Sequence, residues 1–350
     1  LLNDYQVVIV GVDEPMVKQW IDNYEIVAIN PDETTDARTL AAKIGMLKAV
    51  KDYDLKRVIS FHSRVSGAKK FSEELTEVAY LIEPANRPEG TFLTDYVSGA
   101  MKTGDRKEKI DRLKVLEGYD RGILTNARCL AEGVDVPSLD GVAFIDPRGS
   151  QVEIIQAVGR AIRKVRGAKV QKKGTIVLPV FIEDGDDHEA SIEASNFKPV
   201  WDVLKALRAH DEVLAGTLDE YRTNMAKRTY RRKKVSDKII FDMPVSVDAQ
   251  FSSALRTVLV EAATESWAFW LGLLEQFKAM EGHCKVPSRL KLDGHNLGFW
   301  VSSQRTREES LSPERKQRLD SLGFIWDPKI AAWEEGFSNL EKFKAMEGHC

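Results

Sequence analysis

The segment Gln156-Ala157-Val158-Gly159-Arg160-Ala161-Ile162-Arg163 sets two arginines three positions apart. On a helix that spacing puts both side chains on one side. A guanidinium keeps its charge and offers a rigid fork of donors that matches phosphate oxygens. Gly159 lets such a helix come close to another surface. Upstream lies a second block, Thr125-Asn126-Ala127-Arg128-Cys129-Leu130-Ala131-Glu132-Gly133-Val134-Asp135-Val136-Pro137. A single arginine in this setting would be a solvated helix face with Glu153 as its local partner. Gly133 and Pro137, taken alone, suit plain turns equally well. The two blocks in succession favour phosphate chemistry.

The elements that must hold these residues are legible in the first 190 positions. Short β-rich runs at Val7–Val10, Arg57–Phe61, Thr91–Leu93, Gly122–Thr125, Val142–Ile145 and Thr175–Val180 alternate with amphipathic helices. The helices are predicted near Asp36–Tyr53, Ser66–Tyr80, Asp105–Leu116 and Val152–Lys164. This alternation predicts an α/β fold with a mostly parallel sheet covered on both faces. Ligands of such sheets bind beyond the carboxyl ends of the strands. Thr125 ends one predicted strand, and Gln156 to Arg163 occupies the helix after another.

Residues 191–264 read as a helical and basic connector. Phe197 to Leu218 has a helical period, with Trp201, Leu204 and Leu207 on one face. Then come Arg231, Arg232, Lys233 and Lys234, with Tyr221 and Tyr230 near them, a set able to neutralise phosphates and stack bases. A solvated, flexible connector explains the same run equally well. Lys238–Phe241 reads as a short extended piece, and Val245 to Ala263 ends in a helix.

The last part repeats. Phe277-Lys-Ala-Met-Glu-Gly-His-Cys284 recurs as Phe343-Lys-Ala-Met-Glu-Gly-His-Cys350, an offset of 66 residues that also maps Trp267 onto Trp333. Residues 265–330 predict a small three-helix bundle, with a turn at Asp293-Gly294 and a helix opened by Ser312 and Pro313. Residues 331–350 begin a second copy. Trp267, Trp300 and Trp326 are expected in the core rather than as base-stacking platforms. His283, Cys284 and His295 fall short of the ligand spacing of a structural zinc site, and His283 is expected to be a hydrogen-bonded packing residue. The acidic run Glu183 to Glu189 lacks the ordered oxygens of a calcium loop.

The whole chain has 350 residues, a net charge of −3 and three cysteines, which excludes a disulfide framework and fits a reducing, cytoplasmic setting. No apolar run suits a membrane span. The chain starts at Leu1 without a methionine and stops inside a repeat, so it reads as part of a longer protein.

The two blocks resemble motifs V and VI of superfamily 2 helicases. Ser60-Phe61-His62-Ser63-Arg64 looks like motif IV, and Val97-Ser98-Gly99 with Arg106 looks like the segment that touches the nucleic-acid backbone. Gly282-His283-Cys284-Lys285-Val286-Pro287, Leu297-Gly298-Phe299-Trp300 and Leu322-Gly323-Phe324-Ile325-Trp326 resemble the helicase-associated domain. The resemblance implies a second RecA-like lobe over residues 1–190. It implies that Arg160 and Arg163 contact the γ-phosphate of ATP, that Gln156 senses nucleotide and that Asp135 bonds the ribose. Gly133 and Gly159 would lie beside the nucleotide. Ser63, Arg64, Ser98, Gly99, Arg106 and Thr125 would face nucleic acid, with DNA favoured over RNA. ATP and Mg2+ would be held mainly by a first lobe, because Gly-x-x-x-x-Gly-Lys-Ser/Thr is nowhere in these residues. Asp13-Glu14 is accordingly read as a helix start, not a metal-binding pair. These residues alone are expected to lack ATPase activity. The alternatives are a non-catalytic nucleic-acid-binding or interaction protein with a degenerate motor lobe, and the motor part of a restriction or defence assembly.

Overall fold

The computed structural model describes residues 4–13, 16–17, 33–82, 87–127, 139–146, 151–161, 173–182, 192, 197–227, 235–247, 249–264 and 266–349. Its strands are β1 (Tyr5–Asp13), β2 (Arg57–His62), β3 (Phe92–Ser98), β4 (Arg121–Ala127), β5 (Gly141–Asp146), β6 (Gly174–Ile182) and β7 (Ile239–Asp242). Between and after them run α1 (Glu33–Asp52), α2 (Val65–Leu81), α3 (Thr103–Val115), α4 (Gln151–Ala161), α5 (Lys198–Arg208), α6 (Glu212–Met225) and α7 (Ala249–Ala263). The last four are α8 (Ser266–Glu281), α9 (Leu297–Thr306), α10 (Pro313–Ser321) and α11 (Pro328–Glu347). The chain divides into two compact units, Leu1–Gly216 with Lys234–Ala263, and Thr217–Lys233 with Thr264–Cys350.

In the first unit the strands form one seven-stranded sheet in the order β3-β4-β2-β5-β6-β1-β7, with every neighbouring pair parallel. Parallel strands are buried on both faces and therefore read as unbroken apolar runs. Val7, Val8, Ile9 and Val10 of β1 and Ile176, Val177 and Leu178 of β6 are fully buried. Leu40, Ile44 and Leu47 of α1 and Phe71 and Leu75 of α2 pack with Val8, Val10, Ile123, Ala143 and Val177 into one core. Each Val, Leu, Ile or Phe among them contributes about 1.5–3 kcal/mol by leaving water.

Two features depart from the sequence pattern. The helix expected from Phe197 to Leu218 is broken at Asp211. Its Oδ1 accepts from Leu214 N at 2.9 Å, the geometry of a helix cap. Its Oδ2 takes the Tyr5 hydroxyl at 2.7 Å and Lys238 Nζ at 2.6 Å. Burial alone would raise the Asp211 carboxyl; these donors outweigh it and hold the group below its ordinary range. The second departure is β7, which joins the sheet edge as a parallel partner of β1, Val7 opposite Ile239. Part of the expected connector is thus sheet.

In the second unit α8, α9 and α10 enclose Trp267, Leu271, Leu274, Phe277, Leu297, Trp300, Val301 and Leu319. Trp267 Nε1 donates to the buried Gln304 Oε1 at 3.0 Å, which settles the indole's one polar atom. Leu292 and His295 bridge across the Asp293-Gly294 turn, where both residues have positive φ. Ser312 accepts from Arg315 N and Pro313 starts α10. α8 also packs against the end of α6. A Cβ added to Gly272 would lie 2.1 Å from Thr223 O, so only glycine permits that approach. Thr223 Oγ1 donates to Ala268 O at 3.1 Å, and Lys227 pairs with Glu275 at 2.6 Å. Among the described residues no helix is long and apolar enough to cross a membrane.

Candidate functional site

The carboxyl ends of β2, β3, β4 and β5 meet at one edge of the sheet. The registers place His62 opposite both Ala127 and Asp146, and Ser98 opposite Ala127. Gly99 N donates to Ala127 O at 3.3 Å, holding the turn after β3 against β4. Ser63, Gly99, Ala127 and Asp146 therefore line the same rim.

Two helices begin on that rim, and neither has a side-chain cap. α2 follows Arg64 and α3 follows Lys102, both in extended conformation. Uncapped first-turn N–H groups and the positive end of the helix dipole favour anions. Asp105 in the first turn of α3 and Asp146 on the rim are acidic, but three basic side chains stand beside them. Arg64 and Lys102 are exposed, and Arg106, in the first turn of α3, is half-buried with Nη2 3.4 Å from Thr103 Oγ1. A phosphodiester backbone is the kind of ligand this edge suits.

Below the rim the polar side chains are structural. His62 stacks edge-on against Phe71 at 4.9 Å and lies 3.0 Å from Ser60 Oγ. Burial pushes its imidazole down to about 4, so it is neutral at physiological pH. Ser98 is buried. Thr125 departs from its expected role. It is fully buried and its hydroxyl donates to Ala68 O at 2.7 Å, so it fastens α2 to β4 instead of facing a phosphate. A β-strand sends alternate side chains inward, and Thr125 falls on the side that α2 covers.

The arginine-bearing helix is α4. Ile154, Ala157 and Val158 are buried, while Gln156 is exposed. No described atom lies within 4 Å of a Cβ placed on Gly159. Gln156 thus faces outward, and the close approach expected at Gly159 is not made by the described part of this chain. Arg160 lies on the same helix. Its side chain, Arg163, Gly133 and Asp135, and the basic run Arg231, Arg232, Lys233 and Lys234, fall outside the described residues. Tyr221, grouped with that run, is only 8% exposed and is not a free stacking surface.

Sequence reasoning missed Asp146 and Lys102. The first was cut off by ending a strand at Ile145, although a carboxylate between an apolar run and Pro147 is a signal in itself. Asp13 ends β1, and its carboxylate accepts from Met16 N at 3.0 Å and from Ser246 Oγ. That is the capping role expected of it. In the second unit Trp267 and Trp300 are core residues and Trp326 is half-buried. His283 is exposed, its Nδ1 accepting from Lys285 N at 3.3 Å, so it is hydrogen-bonded at the rim instead of packed in the core. Cys284 Sγ is buried and lies 3.2 Å from Leu322 O. Among the described residues no three or more His, Cys, Asp or Glu cluster as metal ligands would.

The family described as helicase conserved C-terminal domain matches residues 42–165, and the helicase associated domain matches residues 264–327. The chain is 26% identical over 204 residues to UvrABC system protein B of Staphylococcus saprophyticus, covering 56% of this chain and 29% of that protein. It is 27% identical over 223 residues to the protein of the same name from Bacillus subtilis, covering 56% of this chain and 31% of that one. The chain therefore spans under a third of the length of these curated relatives. A solved structure, the ATP-dependent type ISP restriction-modification enzyme LlaBIII bound to DNA, aligns with 93% of this chain and 24% of its own at a TM-score of 0.59. At 20% identity that likeness speaks to the fold alone.

Proposed function

We propose that this chain, which carries the C-terminal RecA-like lobe of a superfamily 2 helicase and a helicase-associated domain, is the trailing half of an ATP-driven nucleic-acid motor. The observation that carries the proposal is the outward face of α4. Gln156 is exposed, no described atom would meet a Cβ on Gly159, and Arg160 lies on the same helix. A face of this composition suits the triphosphate of a nucleotide held by a first lobe.

In this reading Arg160 and Arg163 neutralise charge that builds on the γ-phosphate, and Gln156 orients toward the same group. Gly133 lies close to the nucleotide and Asp135 accepts from its ribose. ATP with Mg2+ supplies the free energy of each cycle when bound to the first lobe. The rim made by Ser63, Arg64, Gly99 and Arg106 receives the nucleic-acid backbone, with the buried Ser98 beneath it, and Arg231 to Lys234 add a second, salt-sensitive contact. DNA is the favoured track, since the LlaBIII structure of the same fold is an ATP-dependent enzyme bound to DNA. These 350 residues by themselves should not hydrolyse ATP, because half of the nucleotide cleft belongs to the first lobe.

The test is ATP turnover by the protein extended to include that lobe, with and without DNA and RNA. Arg163→Ala should lower nucleic-acid-stimulated turnover by roughly 10³-fold or more, the scale of an arginine finger, while nucleotide still binds. Turnover indifferent to Arg163 would overturn the motor reading and leave a nucleic-acid-binding module.

A further inference from the structure

Charge is spread unevenly over the second unit. Residues 283–307 hold five Lys or Arg and one acid, Asp293, whose carboxylate accepts from Gln276 Nε2 at 2.8 Å. Two of the five cations are engaged within the unit. Arg305 Nε donates to Ile325 O at 2.8 Å, and Lys285 pairs with Glu335. Arg307 stands at the far end of α9 beside Glu308 and Glu309. Arg289 and Lys291 are exposed on the loop between α8 and α9, with Glu281 at the end of α8 as the preceding acid.

The same stretch carries an exposed aromatic ring. Phe299 is 75% exposed, whereas Trp267 and Trp300 of the bundle are buried. Ser302, Ser303 and Thr306 follow it at helical spacing, so the ring stands above short polar side chains. Its base is fixed. A Cβ on Gly298 would lie 2.1 Å from Pro287 O and 2.6 Å from Ser288 C, and Gly298 N donates to Leu290 O at 3.0 Å. The loop is thereby pressed onto the first turn of α9. Arg289 and Lys291 flank the bonded Leu290, and Phe299 follows the bonded Gly298. Leu290 and Leu292 pack into the core, which leaves the two cations between them on the outer side.

We propose that Phe299, Arg289 and Lys291 form a binding site for an unpaired nucleic-acid strand. A base stacks on the Phe299 ring, and the two cations neutralise the phosphates beside it. Stacking needs a base whose face is free, which a strand paired inside a duplex does not offer. One exposed aromatic side chain is ordinary by itself. The cations set its partner, because an apolar protein surface laid over them would strip their water and return no counter-charge. A ring face reads neither sugar nor base identity, so DNA and RNA strands fit alike. The site lies within the second unit and does not rest on the ATP-driven reading; a chain with a silent motor would keep it.

The test is fluorescence anisotropy of the 350-residue chain with three probes: a mixed-sequence single-stranded DNA oligonucleotide, the matching RNA and a blunt DNA duplex. Phe299→Leu keeps an apolar side chain but loses the π-face. It should weaken binding of both single strands about five- to hundredfold, the scale of one stacked base, and leave the duplex unchanged. Phe299→Trp should retain or tighten single-strand binding. Arg289→Ala combined with Lys291→Ala should weaken all three probes and flatten the salt dependence. These side chains are exposed, so the melting midpoint should not move in any variant. Where another part of the chain dominates the affinity, photocrosslinking decides: a 5-bromouracil strand should attach at Phe299 of the unaltered chain. No attachment there, an equal loss on the duplex, or no binding of any probe by the unaltered chain would overturn the site.

Discussion

Helices α8 and α11 end in the same five residues, Phe-Lys-Ala-Met-Glu, each followed by Gly-His-Cys, yet they sit in opposite surroundings. In α8, Trp267, Leu271, Leu274 and Phe277 are 9%, 1%, 0% and 6% exposed; their counterparts Trp333, Phe337, Leu340 and Phe343 are 63%, 44%, 46% and 45% exposed. Both helices close the same way. Gly282 at φ 78 donates to Lys278 O, and Gly348 at φ 80 donates to Lys344 O. The cap is local, made by a glycine in the left-handed region and the carbonyl four residues back, so identical sequence gives identical caps. Burial is not local, because it depends on α9 and α10 being there to cover the apolar stripe.

The other side of the two helices differs in sequence as well. Where α8 meets α6 through Ala268 and Gly272, α11 carries Glu334 and Ser338. α8 is therefore built to be covered on two sides and α11 on one. The first repeat is joined to the end of α6 by a seam that the residues of the second copy do not match.

The comparison can be broken most directly at its apolar stripe. Leu274→Ala should destabilise the second unit by about 2–5 kcal/mol, the cost of a buried leucine plus the cavity it leaves. Leu340→Ala, at the matched position, should stay within about 0.5 kcal/mol, as surface changes do. Equal losses in thermal melting would show that α11 is covered after all. The seam gives the next largest effect. Gly272→Val pushes a side chain into Thr223 O and should cost about 1–3 kcal/mol, the scale of overpacking, whereas Ser338→Val should be close to neutral in the same melting assay. The smallest effect is expected at Lys285–Glu335, which ties the start of α11 to the loop after α8. Both side chains are about half exposed, and Glu335→Gln should leave the melting midpoint unchanged, since exposed pairs contribute little. A clear drop would mean that α11 is held in place more firmly than its exposed face suggests.

Much of the first unit was legible for the same reason the caps were. Strands β1 to β6 and helices α1 to α4 announce themselves through apolar runs and helical periods, which need only neighbours in sequence. The candidate site was legible as a set of residues and much less as a set of roles. Ser63, Arg64, Gly99 and Arg106 do gather at one rim, because each follows or flanks a strand end. Thr125 is adjacent in sequence to that rim but is covered by α2, and nothing near it in the chain says so. Asp146 was passed over because its aim comes from a skipped residue in the pairing of β2 with β5, a property of two strands whose pairing no single stretch encodes.

By itself the sequence determined the alternation of strand and helix, the arginine pair on one helix, the caps and turns, and the repeat. All of these follow from propensities and spacings within a few residues. Only the tertiary structure decided that Ile239–Asp242 is an edge strand and that Asp211 breaks a helix by gathering Tyr5 and Lys238. It also decided that α9 and α10 cover the apolar stripe of α8, and which hydroxyl at the rim is already engaged. Each of these depends on groups far apart in the chain, whose meeting is set by the sheet order and the packing of whole elements.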